Sequence, residues 1–153
     1  VEGDTDPKKQ PLYFLLFAVQ LQNIFAIEII AKRFPVNISN PPNTNLNLNV
    51  EDIQIDAEHL LAQVILNAQV KCADDPPPFE ILFKLLGLFV YDQAYKTEMI
   101  HTFLEQGSIS VMLPFARELL LSLCLRVQIP PLLLPLIQLA PPQSETEKEN
   151  APE

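Results

Sequence analysis

The chain is poor in the residues that usually announce chemistry. Its two cysteines, Cys72 and Cys124, stand alone on apolar stretches without paired metal-ligand spacing. They read as buried free thiols in a reducing cytosol rather than as a disulfide. The two histidines, His59 and His101, are far apart and have no H-x-x-x-H or C-x-x-C companions, so a solvated or hydrogen-bonded role fits them better than metal ligation. Glycine occurs three times, and no Walker loop, dinucleotide loop or G-x-S-x-G elbow is present. Basic residues are also few: 10 Lys and Arg against 19 Asp and Glu leave a net charge of −9. That balance argues against a protein that tracks nucleic-acid phosphates and suits a basic partner. Arg117 and Glu118 are neighbours on a helical stretch and point different ways, so they read as structural ion-pair formers and not as a catalytic pair. Acidic residues gather in tails and turns. No enzyme, cofactor or metal is expected from this inventory.

Apolar side chains are what the chain has in surplus. They make up 48% of 153 residues, enough for the core of one domain. The ends differ from the middle: Val1 to Gln10 and Pro141 to Glu153 are polar, charged or proline-rich, which marks them as tails around a domain spanning residues 11–140. Lys8-Lys9 followed by PLYFLLFAV has the outline of a signal peptide, but the acidic VEGDTD before it and the lack of a clear cleavage box argue against one. Leu119 to Leu139 is long enough to cross a bilayer, yet it holds Arg126, Gln128 and three prolines. A charge near the centre of such a span costs about 3 kcal/mol, and stable membrane insertion is not expected.

The first two-thirds of the domain reads as strands. From Val19 to Ala31 the odd positions are Val19, Leu21, Asn23, Phe25, Ile27, Ile29 and Ala31, with Gln20, Gln22 and Glu28 between them, which predicts a strand with one wet face. Asn37 to Asn45, rich in asparagine and carrying Pro41-Pro42, predicts a long connection. In NLNLNV, Leu46, Leu48 and Val50 then share one side. Apolar parity moves to odd at Ile53 and Ile55 and returns to even from Leu60 to Cys72, so a bend or bulge is expected within Glu51 to His59. After a turn at Asp74 to Pro78, FEILFKLLGLFVY is apolar at Phe79, Ile81, Phe83, Leu85, Phe89 and Tyr91. Its other face also carries Leu82, Leu86, Leu88 and Val90, so this strand is expected to be covered on both faces.

Helical signals follow. Thr97 to Gln106 is expected to form a short helix with Thr97 as its N-cap and Gly107 at its stop, and a final helix is expected to begin between Ser108 and Pro114. That helix carries Leu113, Ala116, Leu120, Leu123 and Val127 on one face, while Phe115, Leu119 and Cys124 extend apolarity around it. One sheet covers only one side, so a second copy of the chain is the economical cover for the rest. Pro130, Pro131 and Pro135 cannot continue the helix, so Ile129 to Leu139 must run extended while strongly apolar. Such a tail either straps the sheet or lines a trough that holds an unfolded apolar segment.

The stretch MLPFARELLLSLCLRVQIPPLLLPLIQL resembles the end of the SecB protein-export chaperones, whose helix reads L-F-P-[FY]-A-R-E before an Arg, a short link and F-P-P-L-x-L-x-P-I-x-F. QLQNIFAIEIIAKRFP is similar to the family's opening strand, NLNLNV to its next strand, and LLGLFVY to its Y-A-G-[ILV]-F segment, so the likeness runs through residues 19–139. It implies an α+β fold: a four-stranded antiparallel sheet with helices packed on one face, assembled into a homotetrameric dimer of dimers. It also implies an ATP-independent cytoplasmic holdase that binds unfolded precursor polypeptides and delivers them to the SecA export motor. Client-binding positions would be Leu46, Leu48, Val50, Ile129, Leu132, Leu134, Ile137 and Leu139, and motor docking would use Glu28 and Glu80. The chain departs from the family in lacking its Gly before F-P-P and in placing Ile129 and Leu139 where the tail carries aromatics. A SecB-like chaperone dedicated to an antitoxin, or a trough for acyl chains, are the alternative readings.

Overall fold

A computed structural model describes residues 18–38 and 42–134. Four antiparallel strands, β1 (Val19–Arg33), β2 (Thr44–Asp56), β3 (Leu61–Cys72) and β4 (Phe79–Tyr91), are followed by one helix, α1 (Thr97–Arg126). The sheet order is β1-β4-β3-β2, so β1 and β2 form its two edges and the link between them passes across the sheet end. Three contacts hold that link to the β3–β4 turn. Phe34 N–H donates to Pro78 O at 2.9 Å, Ala73 N–H donates to Asn43 O at 2.8 Å, and Arg33 Nη1 donates to Pro78 O at 3.0 Å.

One face of the sheet makes the core. On β4, Phe79, Ile81, Phe83 and Phe89 are buried, as are Val64, Leu66, Ala68 and Val70 on β3, and all belong to one cluster with Ile100, Phe103, Leu104, Met112, Ala116 and Leu120 of α1. Gly87 lets the helix approach, because a β-carbon there would stand 3.0 Å from Met112 Cε. The two parity changes read along 46–60 have separate causes. Glu51 is an extra residue in β2, between the pairs Val50↔Leu66 and Asp52↔Ile65, and a tight turn at 57–60 joins β2 to β3. Asp56 Oδ1 accepts from the N–H groups of Glu58 and His59 in that turn, at 3.1 and 3.2 Å.

Strand β1 does not keep the single wet face expected for it. Its pairing with β4 shifts between Leu21 and Asn23 and again between Ala26 and Glu28, so two bulges change the side on which its residues project. Residues directly opposite across an antiparallel pair share a face. Phe25 therefore lies beside Leu86 on the open side, while Ile29 and Ala31 lie beside Phe83 and Ile81 on the helix side. As an edge strand only lightly covered by the helix, β1 leaves Phe25, Ile27 and Ile29 nearly half exposed.

The helical region also differs from expectation. Instead of two helices there is one of 30 residues, whose N-cap is Lys96 without a side-chain cap. Gly107 does not stop it. This glycine is buried, and a β-carbon there would come 2.9 Å from Phe103 Cε2, so its small size makes room for that ring. Pro114 also lies inside the helix. The buried stripe from Ile100 through Leu104, Met112, Ala116, Leu120 and Leu123 is continuous, and tertiary burial outweighs the local breakers. Among the described residues, this single helix stands where two were expected.

Candidate functional site

The candidate site forms where the edge strand β2 meets the exit of α1. Leu46, Leu48 and Val50 pair with the buried residues Val70, Ala68 and Leu66. They therefore face the helix side, but at the sheet margin they stay half-buried. The chain leaves α1 through a defined C-terminal motif. Ile129 N–H donates to Cys124 O at 3.0 Å, Gln128 N–H donates to Leu125 O at 3.3 Å, and Gln128 has φ 56. This is the Schellman arrangement, in which a left-handed residue lets two amides return to the last turn. Burial raises the pKa of the Cys124 thiol under this turn, which keeps it in the protonated form.

Beyond the turn, residues 129–134 carry no helix or strand. Ile129 and Leu134 are 7% and 5% exposed and join the main core, whereas Leu133 is 79% exposed. Two anchors thus hold a short strap whose middle remains accessible. Pro130, Pro131, Leu132 and Leu133 face Pro42, Thr44, Leu46, Val70 and Leu120 around a cleft of ≈ 370 Å³. Leu48 and Val50 line a second cleft of ≈ 570 Å³ with Ile53, His101, Glu105 and Ile109. Its walls are acidic as well as apolar, with Glu51 and Asp52 on β2 and Glu105 Oε1 3.7 Å from His101 Nδ1.

Of the sequence-derived client positions, Leu46 and Leu132 come together in one cleft, and Leu48 and Val50 in its neighbour. Ile129 and Leu134 are buried beneath the strap. Ile137 and Leu139 lie outside the described residues, as do the two tails. Glu28 and Glu80 line neither cleft and project from the opposite face of the sheet. There Glu28 stands across from Lys84, and Glu80 stands between Lys32 and Lys71. Lys84 Nζ is 3.0 Å from Glu51 Oε1 and 4.0 Å from Glu28 Oε2. The hydrogen bond to Glu51, aided by both negative charges, raises the pKa of Lys84. Sequence reasoning did not find Leu133, Leu120, Thr44 or Ile109 as lining residues. Leu133 could have been suspected from alternation along the tail, but the others depend on where the helix crosses β2.

No family model matches the chain. The protein-export protein SecB of Neorickettsia sennetsu is 24% identical over a 120-residue alignment, and the match covers 73% of each chain. A Mycobacterium tuberculosis SecB-like chaperone, Rv1957, solved with a ChAD peptide from the Rv1956 HigA1 antitoxin, superposes with a TM-score of 0.67 at 18% identity. That match covers 81% of this chain and 94% of the other. The chain has a SecB-like fold. In this SecB-like fold the strap follows α1 as the resemblance implied, and Gln128 occupies the place of the glycine before the proline pair.

Proposed function

We propose that this SecB-like chain is an ATP-independent holdase whose clients are unfolded polypeptides. The observation that carries the reading is the meeting of Leu46 on β2 with Leu132 and the exposed Leu133 on the strap around one apolar cleft. Each client side chain buried there contributes roughly 1.5–3 kcal/mol before ordering costs. The free edge of β2 runs alongside both clefts, so an extended client can add main-chain hydrogen bonds while alternate side chains enter the clefts. Leu48 and Val50 extend the contact, while Ile129 and Leu134 act as anchors that hold the strap. Ile137 and Leu139 complete the set of client positions that the resemblance implies.

A homotetramer, a dimer of dimers, would present several such grooves and gain avidity from effective concentration. The apolar outer side of α1 supports assembly: Phe115 is 42% exposed and Leu125 80% exposed. By length and composition alone α1 could cross a membrane, but its buried stripe forms the core on the sheet, which argues against a span; a cytoplasmic role rests on the resemblance. Delivery of export precursors to SecA, with Glu28 and Glu80 as docking residues, rests on the resemblance. The lysines opposite both carboxylates give it less support than client binding has. Service to an antitoxin is the second reading, favoured by the fold shared with a chaperone solved with an antitoxin peptide.

Titration of a fluorescently labelled, permanently unfolded polypeptide in the absence of nucleotide tests the proposal. Saturable binding that weakens in the Leu46→Ser/Leu133→Ser chain supports it. Binding of a single-chain detergent, with no binding of polypeptide, would instead favour an acyl-chain trough.

A further inference from the structure

The edge strand β2 is two-faced along its first half. Leu46, Leu48 and Val50 project to the helix side, while Asn45, Asn47 and Asn49 project to the open side, opposite Lys71, Gln69 and Asn67 of β3. All three asparagines are exposed, and Asn45 and Asn47 line a depression of ≈ 340 Å³ with Leu46, Gln69 and Lys71. Asparagine is depleted in strands because its side chain competes with the ladder for backbone groups. Strand formation therefore does not account for a row of them at alternate positions. Beyond the extra residue Glu51, the open side of β2 satisfies itself: Gln54 Nε2 donates to Asp52 Oδ2 at 3.0 Å, and Gln63 Nε2 donates to Gln54 Oε1 at 2.6 Å. Before Glu51, the side-chain amides of Asn45, Asn47 and Asn49 have no partner among the described residues.

A strand added to the free edge of β2 places every second side chain over the clefts and the others beside the asparagines. The register of β2 runs unbroken from Thr44 to Val50 and is interrupted at Glu51, where a bulge twists the edge away from a regular partner. We infer that the client segments of this site are short extended runs in which apolar side chains alternate with uncharged hydrogen-bonding ones. That is the pattern of a half-buried β-strand and not of an amphipathic helix. The inference rests on the holdase reading and narrows its substrate class. Apolar side chains at one parity enter the clefts beside Leu46 and Leu48. Amide or hydroxyl side chains at the other parity bond the amides of Asn45, Asn47 and Asn49, which present donors and acceptors but no charge. Apolar side chains set there instead would cover those amides without a bond. A helical period cannot keep either set on its own side, and a slip of one residue sends every side chain to the wrong face.

Two labelled peptides of identical composition and identical ends test this against the full chain without nucleotide. In one, Leu and Val alternate with Asn and Thr; in the other, the same residues are rearranged with apolar positions at helical spacing. By fluorescence anisotropy the alternating peptide should bind about five-fold tighter or more. Versions of each peptide with Asp or Lys at the central polar position are then compared on the Asn47→Lys and Asn47→Asp chains. Position 47 is exposed, so both chains should melt as the parent does. The alternating Asp peptide should prefer the Asn47→Lys chain and the alternating Lys peptide the Asn47→Asp chain, each by about three-fold or more. Helical-spacing peptides with the same charges should discriminate by less than about two-fold, because their charged side chain is not held beside position 47. Equal binding of the two parent peptides, or equal charge discrimination by both patterns, would overturn the inference and leave the holdase reading standing. Failure of both peptides to bind would also overturn it. If the permanently unfolded polypeptide fails to bind as well, the holdase reading falls with it.

Discussion

The backbone N–H of Ile129 donates to the carbonyl of Cys124 at 3.0 Å, and this bond turns the end of α1 into the strap over β2. Gln128, between them, holds φ 56, a left-handed conformation that costs an L-residue with a β-carbon about 1–2 kcal/mol and glycine almost nothing. Gln128→Gly should therefore raise stability by about 1 kcal/mol. The check is the midpoint of denaturant unfolding, with an unchanged slope.

Position 107 should behave in the opposite way to an ordinary helical glycine. Gly→Ala in a helix interior gains about 1 kcal/mol. Here the new methyl would meet Phe103 Cε2 at 2.9 Å and Cδ2 at 3.2 Å, and the ring is fully buried. Overpacking costs about 1–3 kcal/mol, so Gly107→Ala should destabilise by about 1 kcal/mol net. Combining it with Phe103→Leu should give less than the sum of the two losses, a coupling that a double-mutant cycle measures.

The β2–β3 turn should respond to acid through Asp56. Its carboxylate lies 2.8 Å from His59 Nδ1 and accepts two turn amides. The His59 hydrogen bond, followed by that amide pairing, lowers its pKa in the folded state. A lowered folded pKa contributes stability that is present above the unfolded value and lost as pH falls through the folded one. The stability difference between the parent and Asp56→Asn should thus be constant at neutral pH and shrink below the ordinary carboxylate range. Urea unfolding repeated from about pH 6 down to about pH 2 checks this. A difference that grew on acidification would contradict it.

The strap separates two roles at adjacent leucines. Leu133 is 79% exposed and Leu134 is 5% exposed. Leu133→Ser should change stability by less than about 0.5 kcal/mol and weaken client binding several-fold. Leu134→Ser removes a buried side chain and should cost about 2–4 kcal/mol of stability. Thermal melts and client titrations on the same two proteins make the comparison.

Where the hydrophobic period was unbroken, the sequence could be read directly. β4 shows it along most of its length, and the parity changes from Val50 to Leu60 indicate a bend or bulge within Glu51 to His59 without deciding between one interrupted strand and two, where the structure has the Glu51 bulge and then a hairpin turn. β1 could not be read in this way, because its two bulges fall within an apolar run where Ile24, Phe25, Ile27 and Ile29 satisfy either parity. Gly107 and Pro114 carry strong local signals against a continuous helix, and only the sheet that buries Phe103, Met112 and Ala116 outweighs them. At the site, Leu46 and Leu132 are implied as client positions by the resemblance, while alternation and the prolines indicate only an apolar strand face and an extended apolar tail. Their common cleft also needs Leu120, whose position depends on the crossing of α1 over β2. The strap shape depends on Gln128 adopting a conformation that glutamine seldom takes.

The proposed holdase activity requires the cleft between β2 and the strap to hold unfolded polypeptide without nucleotide. The most direct test is light scattering from a slowly folding client diluted out of denaturant, with this protein present, ATP absent and the molar mass recorded in parallel. The parent should suppress aggregation as an oligomer near stoichiometry, and the Leu46→Ser/Leu133→Ser chain, equally folded, should suppress it much less. Unimpeded aggregation with the parent, or equal protection by both chains, would contradict the proposed activity at this cleft.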